Sequence, residues 1–260
     1  MDKYLELQLS GKDTVSTYPD KNDNNNCLEL IADANRNHNE AKKKVRCPAL
    51  EAPRQHPTRR GFKTKVDCYM SRLIKFPEEV ALAHCPYEAW LWGILEGDPD
   101  VRYMVPQPYR FYIGTERYTP DLYFERNGRR FIVEVKSEKD FENFKERSYC
   151  LKEYLKPTVF EFIHITNESI SEREVFARNW LRIVHTLVTS THVNTERAAE
   201  IVMDRLHEKP LQLGDIIDIS HRIDECQMEI ALYRLAHRGK VTLDLENERL
   251  CVDTGVSLCR

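Results

Sequence analysis

The chain has 260 residues, of which 41% are hydrophobic and 31% charged, with a formal net charge of −3. A chain of this length suits one large domain or two ordinary ones, and the composition is that of a soluble globular protein. No apolar run approaches the roughly 20 residues that a bilayer span needs, so a membrane partner is not expected. The eight cysteines include no CxxC pair, which argues against a structural zinc site. The opening residues Met1 to Glu6 lack the apolar core of an export signal, so reduced thiols in a bacterial cytosol are expected. The near-neutral sum hides a basic block: residues 40–76 hold eleven Lys and Arg against three acids, Glu40, Glu51 and Asp67. Such a block is either a phosphate-contacting arm or a solvated linker. A DNA binder that acts alone is more often basic overall, so this chain is expected to lean on partners.

Residues 1–57 read as a polar, poorly periodic arm. A short helix is possible over 28–34, and Pro48, Pro53 and Pro57 mark an extended connection. A short strand follows at 80–83. The spacing of Tyr87, Leu91, Ile94 and Leu95 predicts a helix over 86–96, with Pro86 in the first turn and Gly97 to Asp100 ending it. Glu88, in that first turn, is either a partner of the helix dipole or a functional carboxylate. Strands are predicted at 101–105 and 109–113, split by Pro106-Gln107-Pro108, with Gly114 turning the chain into a hairpin. Beyond it come a charged amphipathic helix over 138–155 and a β-branched, aromatic strand over 158–165. From 171 the pattern turns helical, with helices at 171–188, 195–206, 213–219 and 225–236. A small hairpin of strands at 241–245 and 249–252 then completes a winged-helix-like module. The last of these helices offers only Arg234, His237 and Arg238 as cations, against Glu225 and Glu229. Protein docking is therefore favoured there over base readout.

The hairpin at 118–136 concentrates the chemistry. Asn127-Gly128 is the pair best able to take φ > 0 at both centres of a type I′ turn. A two-residue turn there sets Arg126 opposite Arg129 and Asp121 opposite Glu134, with Lys136 on the same face as Glu134. Leu122, Phe124, Val133 and Val135 fall on the other face and are expected in the core. Opposed carboxylates repel unless a positive group sits between them, and a hard divalent cation such as Mg²⁺ or Mn²⁺ answers that need. The competing reading is a half-buried surface hairpin carrying an ordinary ion pair. Pro120-Asp121 followed by Glu134-Val135-Lys136 matches the pattern of the PD-(D/E)xK nucleases, which this stretch resembles.

Over roughly residues 58–252 the chain further resembles the TnsA family, the endonuclease subunits of heteromeric cut-and-paste transposases. The motifs that carry the resemblance come in order: Cys85-Pro-Tyr-Glu88, Asp98-Pro-Asp-Val101, Gln107-Pro108, Thr119-Pro-Asp121, Glu134-Val-Lys136, and Thr166-Asn-Glu-Ser-Ile170 after the strand. The resemblance implies an α/β restriction-endonuclease-like core with a mixed sheet over 58–170, followed by a helical, winged-helix-like domain over 171–260. It implies a site of Glu88, Asp121, Glu134 and Lys136, with Mg²⁺ held by the carboxylates and the Val135 carbonyl, and Mn²⁺ able to substitute. The implied reaction is hydrolysis of the 5′-side strand at transposon ends, with a TnsB-type integrase and a TnsC-type AAA+ ATPase as partners. Cys85, where the family has Ser, weakens the helix cap and leaves the chemistry untouched. The acidic face repels duplex DNA, and Arg59, Arg60, Lys63 and Lys65 are the expected DNA-binding compensation. The alternatives are a free-standing PD-(D/E)xK restriction or junction-resolving nuclease, and a non-catalytic scaffold on which such a fold has decayed.

Overall fold

The computed structural model describes residues 44–56, 69–217 and 222–259. The possible helix at 28–34 and the four cations Arg59, Arg60, Lys63 and Lys65 lie outside the described residues. The described chain is mixed α/β, with four small sheets and eight helices. No described helix is long and apolar enough to cross a membrane.

A four-stranded sheet organises the first half. Its strands are β4 (Val101–Pro106), β7 (Leu122–Arg126), β8 (Arg129–Lys136) and β9 (Phe160–Thr166), side by side in that order. Asn127 and Gly128 take φ of 49° and 77°, the two positive values that a type I′ turn requires. The expected register follows: Arg126 pairs with Arg129, Phe124 with Phe131, and Leu122 with Val133. The return to β9 is parallel, which requires a crossover. Two helices supply it, α2 (Glu138–Glu142) and α3 (Lys145–Leu155). The single helix predicted over 138–155 is broken here because the Phe144 N–H turns back to the Phe141 carbonyl at 2.9 Å. The break sends Phe144 into the core beside Tyr118 and Phe162, while the Phe141 ring stacks on His164 at 3.8 Å.

Two smaller sheets flank this one. In the first, β1 (Val45–Arg46) pairs with β5 (Phe111–Ile113), and Gly114 at φ 61° turns β5 into β6 (Glu116–Tyr118). This strand, between Gly114 and the hairpin expected from Tyr118, is an addition to the expected order. In the second, β2 (Tyr69–Ser71) pairs with β3 (Ala81–Ala83).

Helix α1 (Pro86–Glu96) carries no basic residue in its own last turn. Lys75 supplies the missing charge from outside: its buried ammonium donates to the carbonyls of Leu95, Glu96 and Asp98 at 2.7, 3.0 and 2.6 Å. Cations at a helix C-terminus satisfy its orphan carbonyls and its dipole together. The fully buried Glu96 answers in kind, accepting the backbone N–H groups of Ile74 and Lys75.

The helix expected over 171–188 starts earlier and divides at Arg173 into α4 (Asn167–Glu172) and α5 (Glu174–Thr189). Helices α6 (Glu196–Glu208), α7 (Leu213–Ile216) and α8 (Arg222–His237) follow, α7 being shorter than the predicted 213–219. They accompany a three-stranded sheet of β10 (Leu211–Gln212), β12 (Gly255–Leu258) and β11 (Val241–Leu243). The returning strand is thus 255–258 rather than the predicted 249–252. Asn179 explains the shift: its amide binds the Leu245 and Glu248 carbonyls and accepts the Leu250 N–H, so 245–250 is held as a loop against α5.

Helix α5 belongs to both hydrophobic cores, giving Ala177 and Val184 to the first and Trp180, Ile183 and Leu187 to the second. Its seat on α1 depends on two glycines. A Cβ on Gly93 would stand 2.3 Å from the Ala177 carbonyl oxygen, and one on Gly97 would stand 2.4 Å from the Trp180 indole nitrogen. Alanine normally stabilises a helix interior by about 1 kcal/mol over glycine. Here Gly93→Ala is expected to destabilise the protein by about 1–3 kcal/mol through overpacking. A urea midpoint equal to or above wild type would show that the two helices do not meet this closely.

Candidate active site

The four sequence-predicted residues come together where β7, β8 and the start of α1 meet. Asp121 stands one residue before β7. Its backbone N–H donates to the Val133 carbonyl at 3.0 Å, and its carboxylate accepts the Val135 N–H at 2.8 Å. Glu134, on central strand β8, is only 3% exposed. The Lys136 ammonium lies 2.7 Å from the Glu134 carboxylate and 3.9 Å from that of Asp121, and donates to the Val135 carbonyl at 3.2 Å. Glu88 is buried at the N-terminus of α1, where its carboxylate accepts the His84 N–H at 3.1 Å and the Cys85 thiol at 3.3 Å. Cys85 therefore makes no side-chain cap to the helix backbone and bonds Glu88 instead.

Three more residues complete the site, none of them assigned a role from sequence. The Tyr118 hydroxyl donates to Glu134 at 2.5 Å from the end of β6. Gln107 adopts φ 47°, and its N–H donates to the Asp121 carbonyl at 2.9 Å. Its side-chain amide lies 2.7 Å from Nδ1 of His84. The sequence marks Gln107 only as punctuation between two prolines and as part of a motif of the resemblance, and Tyr118 only as the first residue of the hairpin.

The electrostatics follow from the count of charges. Burial, followed by the Asp121 charge, raises the Glu134 carboxyl to about 8 and the Glu88 carboxyl to about 7. Burial raises Asp121 as well, against the pull of Lys136. Burial works against the Lys136 ammonium, yet Asp121 and Glu134 outweigh it and hold its pKa up at about 12. An ordinary surface ion pair pulls its carboxylate down, and here the acids move up. One lysine does not neutralise three clustered acids.

The donor chemistry fits a hard cation. Among the described residues no group of three or more His, Cys, Asp or Glu forms a ready metal cage. Mg²⁺ asks less than that, being held by one or two carboxylates with water completing its shell. The Lys136 ammonium already contacts three of the four groups expected to hold a metal, Glu134, Asp121 and the Val135 carbonyl, and leaves Glu88 aside. It stands in for positive charge at the same oxygens. A cleft of about 650 Å³ lies elsewhere, lined by Leu73, Phe76, Leu187, Val188, Arg234 and Arg238, and no residue of this site borders it.

In the second half, two of the three cations expected on the last helix are committed to structure. Arg234 binds the Val193 and Ser190 carbonyls and the Thr195 hydroxyl, and His237 binds Glu96 at 2.7 Å.

Searches of the sequence against protein-family models and against curated proteins find no match.

The charge count generates a stability prediction. A carboxyl raised in the folded state favours its protonated form there. Stability is therefore present at low pH and is lost as pH rises from the ordinary carboxylate range through about 7 to 8. Asp121→Asn removes one of the repelling charges. In EDTA it is expected to melt above wild type at pH 8.5, with the difference shrinking at pH 5.5. Mg²⁺ at pH 8.5 should raise the wild-type Tm and leave that of the variant nearly unmoved. A wild-type Tm indifferent to both pH and Mg²⁺ would contradict the arrangement.

Proposed function

We propose that this chain is a metal-dependent nuclease that hydrolyses phosphodiester bonds in DNA. The observation that carries the reading is the convergence of half-buried Asp121 and buried Glu134 on Lys136, with Glu88 close enough for the Asp121 charge to raise its carboxyl. Within that class, we read it as a TnsA-like subunit of a heteromeric transposase, cutting the 5′-side strand at the element's ends. The ordered motifs from Cys85 to Ile170 support this narrower reading.

Asp121, Glu134 and the Val135 carbonyl would hold Mg²⁺, with Glu88 as a further carboxylate beside them. The bound metal supplies Lewis-acid polarisation of the phosphoryl oxygen and a lowered pKa for water. Lys136, freed from neutralising the carboxylates, is placed to orient the attacking water or to stabilise charge on the pentavalent phosphorus. Tyr118 fixes the Glu134 carboxylate through its short hydrogen bond, and the Val135 N–H fixes that of Asp121. Glu134 and Lys136 lie on a strand paired on both sides, so the charged groups are held on a rigid support.

The uneven charge and the committed cations of α8 suit a subunit that works with partners, an integrase of the TnsB type and an ATPase of the TnsC type. The test is cleavage of duplex DNA carrying a transposon end, with Mg²⁺, by the chain alone and together with a TnsB-type integrase and a TnsC-type AAA+ ATPase. Asp121→Ala, Glu134→Ala and Lys136→Ala are each expected to lower 5′-strand cleavage by about a hundredfold or more, while the 3′ cut by the integrase persists. Full cleavage by Asp121→Ala, or in EDTA, removes the nuclease reading. Full cleavage by the chain alone would favour the free-standing enzyme.

A further inference from the structure

The outer face of the β1–β5–β6 sheet gathers cations from two distant parts of the chain. Arg46 on β1 pairs with Tyr112 on β5, which pairs in turn with Arg117 on β6. Residues paired across antiparallel strands share a face, so these three stand in a row. The Arg46 guanidinium lies 4.6 Å over the Tyr112 ring. Arg110 stands two residues before Tyr112 and continues the same side. The segment 54–56 runs alongside, its Arg54 N–H donating to the Pro108 carbonyl at 3.2 Å and its His56 N–H to the Gln107 carbonyl at 3.1 Å. Burial lowers the His56 pKa, and the Arg110, Arg54 and Arg117 guanidiniums lower it further, which brings three cations to bear on one imidazole.

Among the described residues no acid is ion-paired with this charge. Glu116 is paired with Arg147, and Glu51 with Arg130. Among the described residues Arg46, Arg54, Arg110 and Arg117 form no ion pair. The face also abuts the carboxylate site through shared residues. Gln107 accepts the His56 N–H with its carbonyl and donates its own N–H to the Asp121 carbonyl, so the 54–56 segment and the loop before the Asp121 strand meet at one residue. A polymer cut at that site must continue past it, and its phosphates are repelled by the three acids. Guanidinium forks match phosphate geometry, and an uncompensated row of them beside a phosphodiester site suits a nucleic-acid backbone.

We propose that Arg46, Arg54, Arg110 and Arg117 form a phosphate-backbone subsite that holds duplex DNA alongside the scissile bond. The inference rests on the nuclease reading for what the neighbouring site does, and its test does not depend on cleavage. The full-length chain is titrated with a short labelled duplex in EDTA, by fluorescence anisotropy, across a series of salt concentrations. Each phosphate contact contributes about 0.9 to the slope of log affinity against log salt. The triple variant R54A/R110A/R117A is therefore expected to bind more weakly, with a slope smaller by about 2 to 3. The triple Arg→Lys variant should keep most of the slope, which a merely structural role would not predict. If the alanine variant does not fold, R117E, at an exposed strand position, reads the same quantity. Asp121→Asn serves as the control for the parent reading. If, in the Mg²⁺ cleavage assay with both partner subunits, it cuts DNA like wild type, the nuclease assignment fails while the salt slopes still decide the subsite. Unchanged affinity and slope in the alanine and charge-reversed variants overturn the proposal. So does unchanged DNA binding with lost binding to poly-L-glutamate, which would give the face to an acidic protein.

Discussion

One ammonium group has to serve three carboxyl groups in the interior of this protein, and much of the local structure answers to that imbalance. Taking a charge out of water costs several kcal/mol unless hydrogen bonds and opposite charge replace the lost solvent. Lys136 reaches Glu134 and Asp121 and stays too few by two charges. The remaining compensation comes from neutral donors: the Tyr118 hydroxyl, the Val135 and His84 backbone N–H groups, and the Cys85 thiol. These four donors come from three places, His84 and Cys85 sharing the turn that opens α1, so the acid cluster fixes β6, β8 and the start of α1 relative to one another. A fold under no demand from chemistry would be served more cheaply by apolar residues of the same size.

The opposite end of α1 shows how the same helix is secured without strain on the site. Lys75 closes its C-terminus, and Glu96 bonds both the 74–75 backbone and His237 at the end of α8. Gly93 and Gly97 let α5 lie directly against it. The helix that carries Glu88 is thus clamped by both hydrophobic cores. The second half of the chain buttresses the site even though it contributes no side chain to it. Arg234 and His237, which look like free cations on a recognition helix when read along the sequence, are consumed in this buttressing.

Local signals carried what was legible in the sequence. Asn127-Gly128 dictates a two-residue turn, the turn dictates the register, and the register places Asp121 next to Glu134 and Lys136 without reference to the rest of the fold. Pro86 and the apolar spacing after it set α1 in the same way. The misses share a different cause. Tyr118 and Gln107 act through contacts made by sheets that no local pattern announces, and β6 is a three-residue strand too short to show alternation. The return strand at 255–258 is displaced from the predicted 249–252 by a single buried Asn179, a residue 66 to 71 positions away from its partners in sequence.

Charge shows the same division between what lies along the chain and what the fold assembles. A window over residues 40–76 captures Arg46 and Arg54 and makes that block look self-contained. Arg110 and Arg117 sit in a stretch with no comparable excess; strand pairing sets Arg117 opposite Tyr112, and Arg110 lies two residues before that tyrosine. Folding separates the two signs: acids are drawn inward around Lys136, and guanidiniums are set on the outer face of the adjoining small sheet. A net charge of −3 conceals this because it averages over a molecule whose opposite charges are kept apart. The field at a surface depends on that separation far more than on the sum, since charges beyond a Debye length are largely screened. A neutral chain can therefore present a cationic surface next to an acidic site, provided that its sheets and not its sequence decide which charges are neighbours.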